Sequence, residues 1–250
     1  MSLSRWSRSV RTLVVVAAVA LVATGMVTTG LWHDESKSAD GPITPIRQPN
    51  QDAPEVLWVG DSYTVGHGTP GPAYGYPCLI SARLNWTCKL DAQGGTGFIN
   101  DGTQADPSNV ALPDRLEDTS QKVDPDLVVI DAGRNDYRAT PAAMRHTVNK
   151  YLADAHAAFP DARFVVILPF VLGQSRFDYS MINFTIRRAA RNGGDIVIDT
   201  TTPAWRRYIA KLPTVDGLHP TARSHRLLAR QFTKTFRHLR IPQRIRQLST

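Results

Sequence analysis

Val56-Leu57-Trp58-Val59-Gly60-Asp61-Ser62 is the stretch that decides how this chain folds. Four apolar residues run straight into Gly-Asp-Ser, and Gly66 and Gly68 follow, a pattern that predicts a buried strand delivering a serine at its C-terminal tip. Open α/β sheets bind ligands at the carboxyl ends of their strands, so a serine there stands where chemistry is done. The same serine could also cap the helix that follows, and Gly-Asp-Ser alone does not separate the two roles.

Downstream, the chain alternates between apolar runs of strand length and stretches of helical periodicity. A helix is predicted over about 74–84 and a strand over 87–92, which ends in Gln93-Gly94-Gly95-Thr96-Gly97. A helix or irregular stretch follows over 113–123. The run Asp126-Leu-Val-Val-Ile-Asp-Ala132 is then a second strand, ending in Gly133-Arg134-Asn135-Asp136. Thr140-Pro141 is a helix start, a capping hydroxyl with proline at the first helical position. Met144, Val148, Tyr151, Leu152, Ala155 and Phe159 give that helix a buried stripe until Pro160 stops it. Further strands are expected at 163–168 and 195–199, with a helix over 176–191 between them. A last helix over 221–239 carries Leu228, Phe232, Phe236 and Leu239 on one stripe. This order predicts a parallel sheet covered on both faces through right-handed crossovers, a three-layer α/β/α sandwich of flavodoxin-like type.

In such a fold Asp61-Ser62, Gly94-Gly95-Thr96 and Asn135-Asp136 converge on one edge. A fourth element is Val215-Asp216-Gly217-Leu218-His219-Pro220, just before the last helix. A spacing of three lets a carboxylate hold one imidazole nitrogen while the other faces a nucleophile. His67, five residues from Ser62, is a second candidate base, with no acid spaced to orient it. His33 falls in the linker described below. His146, His156, His225 and His238 fall in predicted helices and read as solvated or structural.

The ends of the chain have a different composition. Arg5, Arg8 and Arg11 precede an apolar run from Leu13 to Trp32, so residues 1–32 read as an export signal or an N-terminal membrane anchor. Residues 33–54, with Pro42, Pro45, Pro49 and Pro54, read as a linker, 55–240 as the folded domain and 241–250 as a basic tail. The expected location is extracytoplasmic, secreted or anchored. The net charge of +7 is concentrated in the last 30 residues, which hold eight Lys/Arg and no Asp/Glu. That segment is a candidate contact for an anionic membrane or envelope polymer. No nucleic-acid partner is expected, because no aromatic platform or binding motif accompanies the charge. Cys78 and Cys88, the only cysteines of 250 residues, are expected to pair as a disulfide in an exported chain, and without a nearby histidine pair they make no metal set.

Gly60-Asp61-Ser62, the glycines at 94–95, Gly133-Arg134-Asn135-Asp136 and Asp216-Gly217-Leu218-His219 stand in the order of the four blocks of the SGNH (GDSL-type) hydrolases. Over about residues 55–235 the chain resembles that family. The resemblance implies Ser62 as nucleophile toward an ester carbonyl, His219 as base and Asp216 as the group orienting it. The implied oxyanion hole is the amides of Ser62 and Gly95 with the side-chain amide of Asn135, Gly95 being chosen among Gly94, Gly95 and Gly97. No cofactor is implied. Tyr63 replaces the leucine of the GDSL name. Thr64 two residues after Ser62 excludes the Gly-x-Ser-x-Gly elbow of α/β-hydrolases. The implied activity is hydrolysis of a small acyl ester. Acyl transfer to a glycan or lipid hydroxyl uses the same triad, and a non-catalytic anion-binding module is the third reading. Phe98, Tyr137, Phe170 and Phe177 are candidate apolar walls of the site.

Overall fold

Residues 49, 50, 52–173 and 177–239 are described in the computed structural model. The N-terminal segment, most of the linker and the basic tail lie outside the described residues. No helix among the described residues is long and apolar enough to cross a membrane.

Five strands form one parallel sheet: β1 (Glu55–Gly60), β2 (Thr87–Ala92), β3 (Leu127–Asp131), β4 (Arg163–Ile167) and β5 (Ile196–Ile198). Their order is β2-β1-β3-β4-β5, with Val59 opposite both Asp91 and Ile130. Among the described residues seven α-helices connect and cover the sheet: α1 (Ser62–Val65), α2 (Tyr76–Leu84), α3 (Leu112–Ser120), α4 (Pro141–Ala158), α5 (Ser180–Asn192), α6 (Pro203–Ile209) and α7 (Ala222–His238). The expected flavodoxin-like three-layer sandwich is the fold observed.

The sheet is buried on both sides at its centre because β1, β3 and β4 are apolar at every position but their ends, whereas the edge strand β2 is part-buried. Leu57, Val59, Val128, Ile130 and Val166 pack with Leu116 of α3, Val148 and Leu152 of α4 and Ile186 of α5. The alternate residues Val56, Trp58, Val129, Val165 and Ile167 pack with Ile80 of α2, Ile209 of α6 and Leu228 and Phe232 of α7. Each such side chain contributes roughly 1.5–3 kcal/mol on burial, and a one-residue register slip would exchange the two cores.

Element boundaries follow local chemistry. Thr140 Oγ1 accepts the Ala143 N–H at 3.2 Å, the cap expected for α4. α5 starts four residues later than the periodicity suggests, because the Asp178 carboxylate takes the Ser180 N–H at 2.8 Å in a turn that precedes the helix. The seven-residue α6 was not expected, although Thr202-Pro203 repeats the start signal of Thr140-Pro141. It is too short to show a buried stripe in sequence.

Cys78 and Cys88 are joined, their α-carbons 5.3 Å apart, fastening the first turn of α2 to β2. The loop closed is ten residues long, for which the chain-entropy account gives about 3 kcal/mol. Differential scanning calorimetry of a Cys78→Ser/Cys88→Ser variant is therefore expected to show a folded protein melting roughly 6–12 °C below the wild type. An unchanged melting temperature would remove the disulfide from the account of stability.

Candidate active site

Four loops meet at the carboxyl edge of the sheet, where β1 lies between β2 and β3 and the strand order reverses. A crevice opens at such a switch point because the connections leave toward opposite faces. β1 ends on Gly60, where a Cβ would lie 2.1 Å from Thr64 Oγ1 and 2.6 Å from the Asp131 carbonyl oxygen. Only glycine allows that approach, and the chain turns at once into α1. Asp61 caps this helix, accepting the Tyr63 N–H at 3.0 Å, and Ser62 stands at its first position, part-buried.

His219 Nε2 lies 3.0 Å from Ser62 Oγ, and His219 Nδ1 lies 2.6 Å from Asp216 Oδ2. The other carboxylate oxygen of Asp216 accepts the backbone N–H groups of Leu218 at 3.0 Å and His219 at 2.7 Å. The Val215 N–H closes the turn on the His219 carbonyl at 2.9 Å. Partial burial would raise the Asp216 carboxyl. The hydrogen bonds from the His219 ring, the His219 amide and the Leu218 amide outweigh that effect and hold it down to about 2. With an ionised carboxylate against it, Nδ1 carries the proton and Nε2 offers its lone pair to the Ser62 hydroxyl.

Arg134, from the loop after β3, is 4% exposed and lies beneath this relay. It donates to Asp61 Oδ2 at 3.1 Å, to Asp131, and through Nε to the Phe170 carbonyl at 2.8 Å. Its guanidinium lies 4.4 Å from the Tyr63 ring centroid and 4.7 Å from that of Phe170. Burial works against the arginine's charge, and Asp131 and Asp61 more than offset it, so it stays protonated. Tyr76 also donates its hydroxyl to Asp131. Tyr63, at the position of the missing leucine, donates its hydroxyl to the Leu218 carbonyl at 2.6 Å and accepts the Leu172 N–H at 3.0 Å. The residue after the serine thereby ties down the turn that carries His219.

The loop after β2 is held by Asp136. Its carboxylate accepts the amides of Phe98 at 2.8 Å, Ile99 at 3.0 Å and Asn100 at 2.9 Å. A Cβ on Gly97 would lie 2.4 Å from that carboxylate, so this glycine is occupied with packing. Gly95 has φ +78 and faces Ala105 and Gly102. Gly94 is the glycine turned toward the serine, its Cβ position lying 4.0 Å from Ser62 Cβ. Asn135 Nδ2 donates one hydrogen to the Thr96 carbonyl at 2.9 Å, leaving its second for a ligand.

His67 is exposed and its ring lies against that of His219, tilted at 44° with centroids 4.1 Å apart. Partial burial and the neighbouring His219 push its pKa down. Its amide reaches the Ser62 carbonyl at 3.0 Å, whereas the Ser62 hydroxyl meets His219. Ligand atoms of His67, Asp216 and His219 fall within 4.8 Å of one another, a set able to hold a cation. Asp216 and His219 already serve the relay, so an ion on all three would dismantle it. Of the expected wall residues, Phe98 and Phe170 are core, while Tyr137 and Phe177 stack with centroids 3.9 Å apart, Phe177 being exposed.

The blocks that make up this arrangement fall within a stretch that matches a known family. The model of the GDSL-like lipase/acylhydrolase family matches residues 58–227. The chain belongs to that family. As a GDSL-like acylhydrolase it is an ester hydrolase. Solved structures sharing the fold include a family two carbohydrate esterase from Corynascus thermopiles (Myceliophthora fergusii) with a carbohydrate binding domain. That structure has 20% identity and a TM-score of 0.56, over 80% of this chain and 69% of that one. An acetyl xylan esterase from Butyrivibrio proteoclasticus has 15% identity and a TM-score of 0.55, over 80% of this chain and 66% of that one. A protein from Desulfitobacterium hafniense DCB-2, described as lipolytic and of the G-D-S-L family, has 15% identity and a TM-score of 0.55, over 72% of this chain and 98% of that one. The chain thus spans about two thirds of these carbohydrate esterases and nearly all of the third protein. No protein of curated function matches it in sequence.

Within this GDSL-like hydrolase, sequence reasoning placed Ser62, Asp216 and His219 together and missed the supporting contacts of Arg134 and Tyr63, while His225, read as solvated or structural, is structural. An arginine inside a family block beside two apolar strands was the available signal for the first. His225 is fully buried, accepting the Tyr76 N–H at 3.1 Å on Nδ1 and donating from Nε2 to the His67 carbonyl at 2.9 Å. Both ring nitrogens are spent, which makes it a strut between α2, α7 and the His67 loop.

Two outcomes follow from these buried groups. Arg134→Met leaves Asp61 and Asp131 buried without their counter-ion, which should cost about 3–5 kcal/mol in urea unfolding. A loss below about 1 kcal/mol would mean that the cluster is not what holds the strand ends.

Burial lowers the His225 pKa to about 4, with the neighbouring His219 adding to the shift, while the unfolded chain titrates near the ordinary value of 6.5. The unfolded state therefore binds more protons between these values, so stability rises with pH through the window and is lost as pH falls from 6.5 toward 4. The contribution is about 3 kcal/mol. The wild type should lose about that much more than His225→Gln between pH 7 and pH 4 by denaturant melts, and parallel losses in the two proteins would refute it.

Proposed function

We propose that this hydrolase is an exported serine esterase or deacylase acting on a small acyl ester. Ser62 is the nucleophile, His219 the general base and Asp216 the group that fixes the imidazole. The observation carrying this reading is the continuous relay from Asp216 through His219 to Ser62, at 2.6 and 3.0 Å. An anion-binding module has no use for such a relay.

Ser62 Oγ adds to the ester carbonyl carbon as His219 Nε2 takes the hydroxyl proton. The carbonyl oxygen becomes an oxyanion, and the imidazolium then returns the proton to the departing alkoxide as the C–O bond breaks, leaving an acyl-serine. Water enters by the same route, giving its proton to His219 and releasing the carboxylic acid and the free serine. The oxyanion donors are the amides of Ser62 and Gly94 with Asn135 Nδ2. We read Gly94 as this donor rather than the expected Gly95, a reading supported by the 4.0 Å between its Cβ position and Ser62 Cβ. The carbohydrate esterases that share the fold make an acetyl ester of a sugar hydroxyl the first substrate to test. The Cys78–Cys88 bond supports an oxidising, extracytoplasmic location.

Turnover of p-nitrophenyl acetate and labelling by a fluorophosphonate test the assignment together. Ser62→Ala should abolish both. Asn135→Ala should lose roughly 10² to 10³ in kcat yet still label slowly. Asp216→Asn should lose roughly 10⁴, its His219 held in the wrong tautomer. Activity surviving in Ser62→Ala, or His67→Ala proving as damaging as His219→Ala, would overturn these roles.

A further inference from the structure

The edge of the sheet opposite the crevice carries a second charged feature. α7 leaves the site loop at Ala222 and α2 begins beside it, Tyr76 being bonded to His225, so both helices run toward the amino edge of the strands. Near their far ends Arg83 of α2 meets Arg230, Lys234 and Arg237 of α7 around a recess of about 270 Å³ that Thr233 also lines. All four cations are exposed, and none pairs with a carboxylate among the described residues. Part-burial and the charges of Arg230 and Arg237 lower the Arg83 pKa, a sign of unrelieved repulsion. Four cations held together without an acid favour an anionic partner.

The course of the chain indicates which partner. Asn50 donates its N–H to the Asn85 side chain at 3.3 Å, and Asn85 is the residue that ends α2. The polypeptide therefore enters the domain at the same edge as the cations. Upstream in sequence lies the apolar run Leu13–Trp32 with Arg5, Arg8 and Arg11 before it, and downstream of α7 come Arg240, Arg244 and Arg246. An apolar run of that length and a basic surface are the two signals that together hold a protein on a bilayer.

We infer that the amino edge of the sheet is a docking face for an anionic lipid surface, gripped by Arg83, Arg230, Lys234 and Arg237, with the Ser62 crevice directed away from the bilayer. The grip is electrostatic and exposed, so it weakens as salt rises. It is independent of the catalytic roles proposed above, since none of the four residues lies at the crevice.

The test uses the full chain in nanodiscs of phosphatidylcholine alone or with about 30% phosphatidylglycerol, and follows acylation of Lys234 by a membrane-impermeant reagent. Lys150, midway along α4 on the far side of the sheet from α7, serves as the internal reference. Lys234 should react about fivefold more slowly on the anionic discs, and about 0.5 M salt should abolish the difference. Arg83→Glu/Arg237→Glu should abolish it as well while keeping the wild-type melting temperature. Equal labelling of Lys234 on both discs overturns the inference. So does protection of Lys234 by soluble polyphosphate with none from the anionic lipid, which would assign the face to a polymer.

Discussion

One buried guanidinium holds the carboxyl edge of the sheet together. Arg134 sits between the carboxylates of Asp61 and Asp131, at the ends of β1 and β3, and reaches the Phe170 carbonyl in the loop after β4. A charge taken out of water is tolerated only when its partners are close and its donors are filled, so each of these groups constrains the others. Three adjacent strand ends are thereby set at fixed distances from one another, and Ser62 and Asn135, each one residue from a member of the cluster, inherit their positions from it.

Two polar side chains extend the constraint to the loops the arginine does not reach. Tyr63 packs its ring on Arg134 and gives its hydroxyl to Leu218, which fixes the turn of Asp216 and His219. Asp136 gathers three consecutive amides of the loop after β2. Ser62, His219 and Asp216 are therefore held from below by buried partners, while each keeps part of its surface exposed. A site assembled this way has little reorganising to do as charge develops, which is where most of a hydrolase's advantage over water arises.

The fold also separates two features in space. In a parallel sheet every strand presents its carboxyl end to the same edge, and the following helix carries the chain back to the other. The crevice occupies the first edge, and the cations of α2 and α7 occupy the second, beside the point where the chain enters. Identities of only 15–20% with structures of the same fold are understandable on these terms. The sheet needs continuous apolar strands of many compositions, and the chemistry needs a few residues at strand ends.

The sequence by itself determined the layers, the strands and the turn of Asp216 and His219. Strands buried on both faces must be apolar at every position, and an acid three residues before a histidine closes a turn through local bonds. The capped start of α4 was legible for the same reason, since Thr140 and Ala143 are neighbours along the chain. What only the tertiary structure decided are meetings between distant residues. Ser62 and His219 lie 157 positions apart, Arg134 and Asp61 lie 73 apart, and Arg83 joins Arg230 and Arg237 from another helix. Periodicity records which side of an element is buried, and carries no record of which polar groups will share the space beyond its end.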